Sequence, residues 1–501
     1  MRKQLINKSI KQKEVLSFDK HKLSYFLVSL VLVAICSIVL WNANWVFELF
    51  WADDYQFVST TAIGRPSHAW TGAGRFWPLG LCDYCLLLLI PYGTTVTAHF
   101  IYNCITMIIA SLLFFEFLKK LVGKHSYIPV FCMLILFSIS SFVLIHMACI
   151  YPEREMFLML SVFMFFYWKA TNEGDNLRNY VVAFVAAAYT TYLKEPVFGM
   201  WIIFAITNLI FGKLSSRNRK FNYALLINSA IWIAIYTYRT IFRDRTFLNV
   251  GGEGYASVSS GISVIFSNFC TFFNQEPLLY VLLIISIIRA YNILRDKSEY
   301  NLCDALLFSG MGYAFAYVIL NRQANHYCFP TIVMGGGILA VMLAESKNYM
   351  KMLLTCAPIV TSVCTIPNSI SWIDKIITHR DIDPQMFTQL IAEQKSGKQI
   401  LWVTEPGKEA INKINSREVD QMKFRRYQIF FDYYAGYRKE HHFPFKKVSD
   451  YSKIDKNTIV ICSDETLASV YGKEINERVK EVGLTSIHSN NDLGTKMFWA
   501  E

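Results

Sequence analysis

Long apolar runs separated by short polar segments occupy the first three quarters of the chain. A helix that crosses a bilayer needs about 20 mostly apolar residues. Eleven runs approach that length, and the predicted spans are 24–46, 95–118, 127–149, 153–170, 179–194, 196–212, 222–242, 277–294, 302–320, 329–346 and 350–370. A shorter run at 81–92 is predicted to be interfacial or re-entrant, and the run at 261–276 is ambiguous. The pattern predicts an α-helical polytopic membrane protein with about 11 transmembrane helices.

The pattern changes near residue 373, where short apolar segments alternate with helix-like ones. We expect strands at 399–404 and 458–463, a helix over 465–482 and a closing strand at 496–500. These elements predict a small C-terminal α/β domain. The expected organisation is a cytoplasmic arm over 1–23, a membrane body over 24–372 and an extracytoplasmic domain over 373–501.

Composition supports this division. Charged residues make up 13% of residues 1–372 and 30% of residues 373–501, whereas soluble domains carry roughly 25%. This distribution excludes a soluble enzyme, a disordered chain and a disulfide scaffold. The net charge of +11 lies almost entirely in the membrane body. Charge there encodes orientation, so no nucleic-acid partner is expected.

The basic residues also predict the orientation of the chain in the membrane. With the N-terminus in the cytoplasm, 21 of the 29 Lys and Arg residues before position 373 lie in cytoplasmic segments. This asymmetry fits the positive-inside rule. An odd number of spans then places the C-terminal domain outside the cytoplasm.

Ionisable residues gather at the predicted outer ends of the helices. They are Asp53, Asp54, Arg75, His99, Glu153, Arg154, Glu155, Lys194, Glu195, Glu276, Arg322 and His326. Such groups are costly at the membrane boundary, and they mark binding sites or substrate paths. The alternative for each one is an interfacial side chain that simply reaches water. Because several separate segments contribute, we predict a functional site on the outer face.

The first outer loop holds the densest group. The pair Asp53–Asp54 follows the first span and offers a general base, a cation ligand or both. Arg65 and Arg75 follow in the same loop, and guanidinium groups bind phosphate in a bidentate manner.

Several motifs in this region resemble a known superfamily. The stretch 75–79 (Arg-Phe-Trp-Pro-Leu) is followed by Asp83–Tyr84, Pro91 and a His99-x-x-x-Asn103 pair. With the acidic pair after the first helix, it resembles the GT-C glycosyltransferases. A similar pattern occurs in O-mannosyltransferase-type members, and a looser version occurs in bacterial serotype-converting glucosyltransferases.

Two further segments are similar to GT-C motifs. Residues 151–155 (Tyr-Pro-Glu-Arg-Glu) resemble the second acidic motif, and residues 192–196 (Tyr-Leu-Lys-Glu-Pro) resemble a Leu-x-Lys-Glu signature. The resemblance covers residues 25–212. The chain departs from the O-mannosyltransferase branch in having Arg-x-x-Pro instead of Arg-Pro, and an α/β domain instead of a repeat tail, so the acceptor is not implied.

The resemblance implies an inverting hexosyltransferase in the cytoplasmic membrane of a bacterium, with a polyprenyl-phosphate sugar as donor and a glycan, lipid-linked glycan or protein as acceptor. It implies that Asp53 or Asp54 is the catalytic base, with Asp53 ranked first. The expected phosphate ligands are Arg75, Arg154, Lys194 and Arg322, and the expected supporting residues are Glu153, Glu155, Glu195, His99, Asn103 and His326. Whether a divalent cation (Mg or Mn) binds to Asp53, Asp54 and Glu153 stays open.

The main alternative is a transporter or flippase of lipid-linked glycans, or a glycan polymerase. Transporters place ionisable groups near the bilayer midplane, on helices broken by Gly or Pro. Here the charges gather at one face, and His146 is one of the few exceptions within the spans. This distribution favours chemistry at one surface. A structural or adhesion role for the C-terminal domain also stays open, because we find no catalytic motif in it.

Overall fold

The structure is a computed structural model that describes residues 22–40, 70–72, 75–91, 95–123, 125, 127–243, 261–378, 384–406, 419–436, 442–490 and 495–500. The predicted catalytic pair Asp53 and Asp54 lies outside these residues, as does most of the predicted N-terminal arm. The backbone of Arg75 is described, but its side chain is not.

The membrane body is almost entirely helical. Its helices are α1 (Lys22–Leu40), α2 (Val96–Val122), α3 (Tyr127–Ser138), α4 (Ser140–Met147), α5 (Glu153–Asn172), α6 (Leu177–Thr191), α7 (Val197–Phe211), α8 (Ser216–Thr237), α9 (Ile262–Gln275), α10 (Leu278–Leu294), α11 (Leu302–Ile319), α12 (Phe329–Glu345) and α13 (Asn348–Thr378). Short 3-10 helices occur at Cys82–Leu89 and Asn325–Cys328, and a short hairpin pairs β1 (Trp70–Gly72) with β2 (Arg75–Trp77).

Each predicted span coincides with one helix or one bent pair of helices. Two spans are broken: α3 and α4 meet at 66°, and α9 and α10 meet at 114°. The ambiguous run at 261–276 is therefore the first half of a bent pair. By length and hydropathy alone, five of the described helices can cross a membrane, or up to seven when each bent pair counts as one span.

The other helices fail this test for two physical reasons. Helices α6 and α7 have only 15 residues each, which at 1.5 Å per residue is shorter than a bilayer core. Helices α5 and α8 are longer, but they carry charged residues in their first turns. Their polar ends therefore lower the mean hydropathy of otherwise apolar segments.

The two ends of the helical body differ in chemistry. One end holds ion pairs between Lys120 and Glu173, and between Lys213 and Glu299. These pairs lie at the C-terminal ends of α2, α5 and α7. The first turns of the same three helices lie at the opposite end, where the predicted site residues of 99–103, 153–155 and 194–195 are found.

The C-terminal region forms one five-stranded mixed sheet. Its order is β4 (Lys446–Val448), β3 (Gln399–Val403), β5 (Thr458–Ser463), β7 (Thr495–Trp499) and β6 (Thr485–Asn490). Strand β3 pairs in parallel with β4 and β5, and β7 is antiparallel to its neighbours. Helices α14 (Pro384–Lys395), α15 (Val419–Tyr434), α16 (Asp464–Ala468) and α17 (Gly472–Glu481) complete it.

The predicted strands at 399–404, 458–463 and 496–500 are confirmed. The predicted helix over 465–482 is two helices, because the chain turns at Ser469, whose backbone leaves the helical conformation. Strands β4 and β6 and helices α14 and α15 were missed, since their mixed polar composition gives no apolar run.

Sidedness gives the first testable prediction. Lys213 has a side chain that is 89% exposed, and Val470 is 88% exposed. We expect cysteines placed at these two positions to react with a membrane-impermeant maleimide from opposite sides of the membrane. The unsubstituted protein, which has its own cysteines, is the background control. Labelling of both positions from the same side would contradict the predicted orientation.

Candidate active site

The first turns of α2, α5, α7 and α12 meet at one end of the helical body. The N-terminus of a helix carries a partial positive charge and unpaired backbone N–H groups, which favour anions. The predicted residues His99, Asn103, Glu153, Arg154, Glu155, Lys194, Glu195 and His326 all lie here, and each is less than a tenth exposed. The fold therefore gathers most of the predicted site into one buried cluster.

Glu153 and Lys194 form the first buried ion pair of this cluster, at 3.2 Å. Glu153 begins α5, whereas Lys194 lies in the turn before α7. The Lys194 ammonium also lies 5.1 Å from the centre of the Trp77 ring and 4.8 Å from that of Tyr327. Two aromatic faces and one carboxylate thus hold this cation where water is excluded.

Arg154 forms the second buried pair. Its guanidinium donates to Asp83 Oδ2 at 2.6 Å and to Thr106 Oγ1 at 3.1 Å. The same group lies 4.7 Å from the centre of the Tyr84 ring and 5.4 Å from that of Tyr102. A planar guanidinium suits this combination of forked donation and stacking, which an ammonium cannot reproduce.

His99 and Asn103 lie on one face of α2, as their spacing predicts. The Tyr84 hydroxyl donates to Asn103 Oδ1 at 2.7 Å, and the His99 ring packs on Tyr84 with centres 4.9 Å apart. His99 Nδ1 lies 2.8 Å from the backbone oxygen of Thr95. Since that contact requires a proton on Nδ1, Nε2 of the neutral ring is an acceptor, and this atom is buried.

Two contacts dock the segment 76–79 onto the turn at 192–196. The carboxylate of Glu195 accepts the backbone N–H of Phe76 at 3.0 Å. The backbone N–H of Leu79 donates to Tyr192 O at 3.2 Å. Through Phe76, strand β2 is fixed to the start of α7, so Glu195 determines the backbone position of the neighbouring Arg75.

Glu155, also on α5, and His326, in the 3-10 helix Asn325–Cys328, complete the cluster. The Glu155 carboxylate accepts a hydrogen bond from the Tyr189 hydroxyl of α6. The His326 ring packs on Tyr151 with centres 4.3 Å apart, and the ring of Tyr327 stacks on Tyr317 at 4.1 Å.

Arg322 is on the same connection between α11 and α12, where its backbone N–H bonds to Tyr317 O. Arg322 is partly exposed, unlike the other described members of the predicted site. The structure therefore places the backbone of Arg322 beside the cluster. Its role as a phosphate ligand stays a proposal.

Three buried acceptor atoms near Arg154 lack a hydrogen-bond partner among the described residues. They are His99 Nε2, Asp83 Oδ1 and Glu155 Oε2. Buried polar atoms in folded proteins are nearly always paired, so each unpaired one calls for an explanation. Acceptors without donors suit a ligand that brings its own hydroxyl groups.

The described residues offer no ready-made metal centre, since no group of three His, Cys, Asp or Glu side chains among them is arranged to hold an ion. Glu153 is the one predicted metal ligand within the described chain, and it faces Lys194. Cys82 and Cys85 are also poor ligands, because burial raises the pKa of the Cys82 thiol to about 12.

A cavity of about 880 Å³ lies at the opposite end of the body. Its walls include Lys120, Trp168, Asn208 and Tyr300, from the ends of helices remote from the clustered site. The chemistry-bearing residues predicted from the sequence do not line it. We therefore place the candidate site at the buried cluster and not at this cavity.

The sequence alone missed several members of the cluster. Trp77, Asp83 and Tyr84 belong to the resembling motif but received no role, and Thr106 and Tyr189 were not singled out. The signal for Asp83 was its lone carboxylate in an apolar stretch, which requires a cation when buried.

No model of a protein family matches the sequence, and no curated protein matches it. Solved structures do resemble it. ArnT from Cupriavidus metallidurans bound to undecaprenyl phosphate superposes with a TM-score of 0.55 at 10% identity, covering 95% of this chain and 97% of ArnT. The apo state of the same protein gives 0.52 at 10% identity, covering 94% and 97%. The chain has the GT-C glycosyltransferase fold with a small C-terminal sheet, as the motifs predicted.

Proposed function

We propose that this GT-C-fold protein is a membrane glycosyltransferase of the inverting, hexosyl-transferring kind. Its donor is a sugar linked to polyprenyl phosphate, and its acceptor is a glycan, lipid-linked glycan or protein on the outer face of the membrane. The observation that carries the proposal is the trio of buried unpartnered acceptors around Arg154, namely His99 Nε2, Asp83 Oδ1 and Glu155 Oε2. Sugar hydroxyls are the donors that would satisfy them.

The anionic part of the donor would be bound by individual cations and helix N-termini of the site, which also holds the carboxylates of Asp83, Glu153, Glu155 and Glu195. Four helix N-termini converge there, and Lys194 and Arg154 supply two buried cations. Each cation already faces one carboxylate, Glu153 or Asp83. An ammonium has three donors, so we assign Lys194, with Arg75, to the donor phosphate. Arg154 and Arg322 then complete the positive surroundings. The undecaprenyl phosphate bound by ArnT agrees in chemistry with such a ligand.

The proposed step is a single displacement. The acceptor oxygen forms a bond to the anomeric carbon while the bond from that carbon to the phosphate oxygen breaks. The acceptor proton passes to Asp53, or to Asp54, and polyprenyl phosphate leaves with the bonding electrons. A divalent cation would share the charge of the leaving phosphate. Asp53, Asp54 and Glu153 are the carboxylates that we expect to hold it.

The donor class is tested with purified protein in lipid nanodiscs. We expect turnover of a polyprenyl-phosphate hexose and none of the matching nucleotide hexose, because no nucleotide-binding motif occurs in the sequence. The measurement is the release of polyprenyl phosphate when membrane extract is added as acceptor. Use of the nucleotide sugar would overturn the donor assignment. Movement of intact donor across the bilayer without release would favour a flippase.

A further inference from the structure

Three interruptions of helical structure meet at one buried point that the proposed chemistry does not use. They are the break between α3 and α4, the break between α9 and α10, and the 3-10 helix Asn325–Cys328 before α12. Glu276 lies at the second break and is fully buried. Its surroundings explain how the three interruptions are tied together.

The Glu276 carboxylate caps a helix that is distant in sequence. Its Oε1 accepts the backbone N–H of Ser141 at 2.6 Å and the hydroxyl of Ser140 at 2.8 Å. These two residues begin α4, whose own N-cap residue, Ile139, supplies no side-chain hydrogen bond. The first turn of a helix has unsatisfied N–H groups that must be paired when buried. Glu276 provides that pairing from the break between α9 and α10.

The same hydrogen bonds continue to the 3-10 helix. Asn325 Nδ2 donates to Ser140 Oγ at 2.7 Å, and the Ser140 hydroxyl in turn donates to Glu276 Oε1. The two hydrogen bonds therefore run in one direction, from Asn325 through Ser140 to Glu276. Such directional chains strengthen each member in a medium of low dielectric constant.

The residues next to Asn325 contact the candidate site directly. His326 packs on Tyr151, and the Tyr327 ring lies 4.8 Å from the Lys194 ammonium. We propose that Glu276 is a positioning residue: through Ser140 and Asn325 it holds the 3-10 helix that presents His326 and Tyr327 to the donor site. This inference rests on the proposed function, which it deepens by extending the donor site to a residue outside it.

The test compares four variants at matched amounts of monodisperse protein. Asn325→Ala cuts the link to the 3-10 helix and leaves the cap of α4 in place, so we expect a rise of about tenfold in the donor KM with kcat changed less than about twofold. Glu276→Ala should give the same rise. Glu276→Gln should stay near wild type, because its amide oxygen still accepts both hydrogen bonds. Asn274→Ala is the matched control, since Asn274 also bonds across the second break, to Tyr280, but on the exposed side.

If Glu276 and Asn325 only stabilised the fold, the alanine variants would lower the yield of folded protein or kcat and would not raise the donor KM selectively. In the double variant Glu276→Ala, Asn325→Ala, the KM should be no higher than in the worse single variant, since both residues act through one chain. Additive increases in KM would overturn the proposal. So would a Glu276→Gln variant as impaired as Glu276→Ala.

Hydrogen exchange measured without substrate separates this inference from the proposed function. Amides of residues 325–328 should exchange faster in Asn325→Ala and Glu276→Ala than in wild type and in Asn274→Ala. Unchanged exchange would overturn the positioning role, whatever the activity. A wild-type protein that fails to turn over the donor would overturn the proposed function, and the exchange data would still decide whether Glu276 holds this segment.

Discussion

Replacing Asp53 with asparagine is expected to lower sugar transfer by about 10²–10⁴-fold, the usual contribution of a general base. Asparagine keeps the size of the side chain and still accepts a hydrogen bond, but it cannot take the proton of the acceptor hydroxyl. The measurement is the release of polyprenyl phosphate from the lipid-linked donor, with membranes supplying the acceptor. Asp53 lies outside the described residues, so this expectation comes from the sequence resemblance alone.

The matched control is the same chemical change at the far end of the body. Asp175→Asn alters an exposed carboxylate that pairs weakly with Arg217, at 3.9 Å, and should leave transfer unchanged. Arg75→Ala should differ from both, with a raised donor KM and a nearly unchanged kcat, because a phosphate ligand acts mainly through ground-state binding. Near-normal turnover by Asp53→Asn would remove Asp53 as the base and transfer the role to Asp54.

The second large effect is expected on stability. Arg154→Met should destabilise the folded protein by about 3–5 kcal/mol, because it leaves the Asp83 carboxylate buried without its cation. The two side chains are 0% and 9% exposed, so solvent screens the pair little. Arg154→Lys should recover only part of the loss, since an ammonium cannot bond Asp83 and Thr106 while stacking on Tyr84.

A double-mutant cycle identifies the cause. Asp83→Leu combined with Arg154→Met removes both charges, so it should be more stable than either single variant. Lys213→Met breaks an ion pair whose side chains are 89% and 87% exposed, and such pairs are worth about 0–1 kcal/mol. The readout is the midpoint temperature for loss of monodisperse protein in detergent. A double variant less stable than both single variants would show that Asp83 and Arg154 are not coupled in this way.

The sequence by itself predicted the helices of the membrane body and the grouping of most candidate site residues at one of its ends. Apolar runs are local, and a bilayer requires every backbone group within a span to be paired in a helix. For that reason every predicted span coincides with a helix or a bent pair, and the alternation near residue 400 located β3 and β5. The expectation that residues 99, 153–155 and 194–195 share one end of the body followed from the same count of spans.

Only the tertiary structure decided which of these groups touch. Arg154 meets Asp83 across 71 positions, Glu195 meets the Phe76 amide across 119, and Asn325 meets Ser140 across 185. Hydropathy gives no information on such partners, because it depends on neighbours along the chain, whereas these contacts depend on how the helices pack. Each partner is required because a buried charge or amide is costly until it is paired, and only the packed helices bring that pairing about.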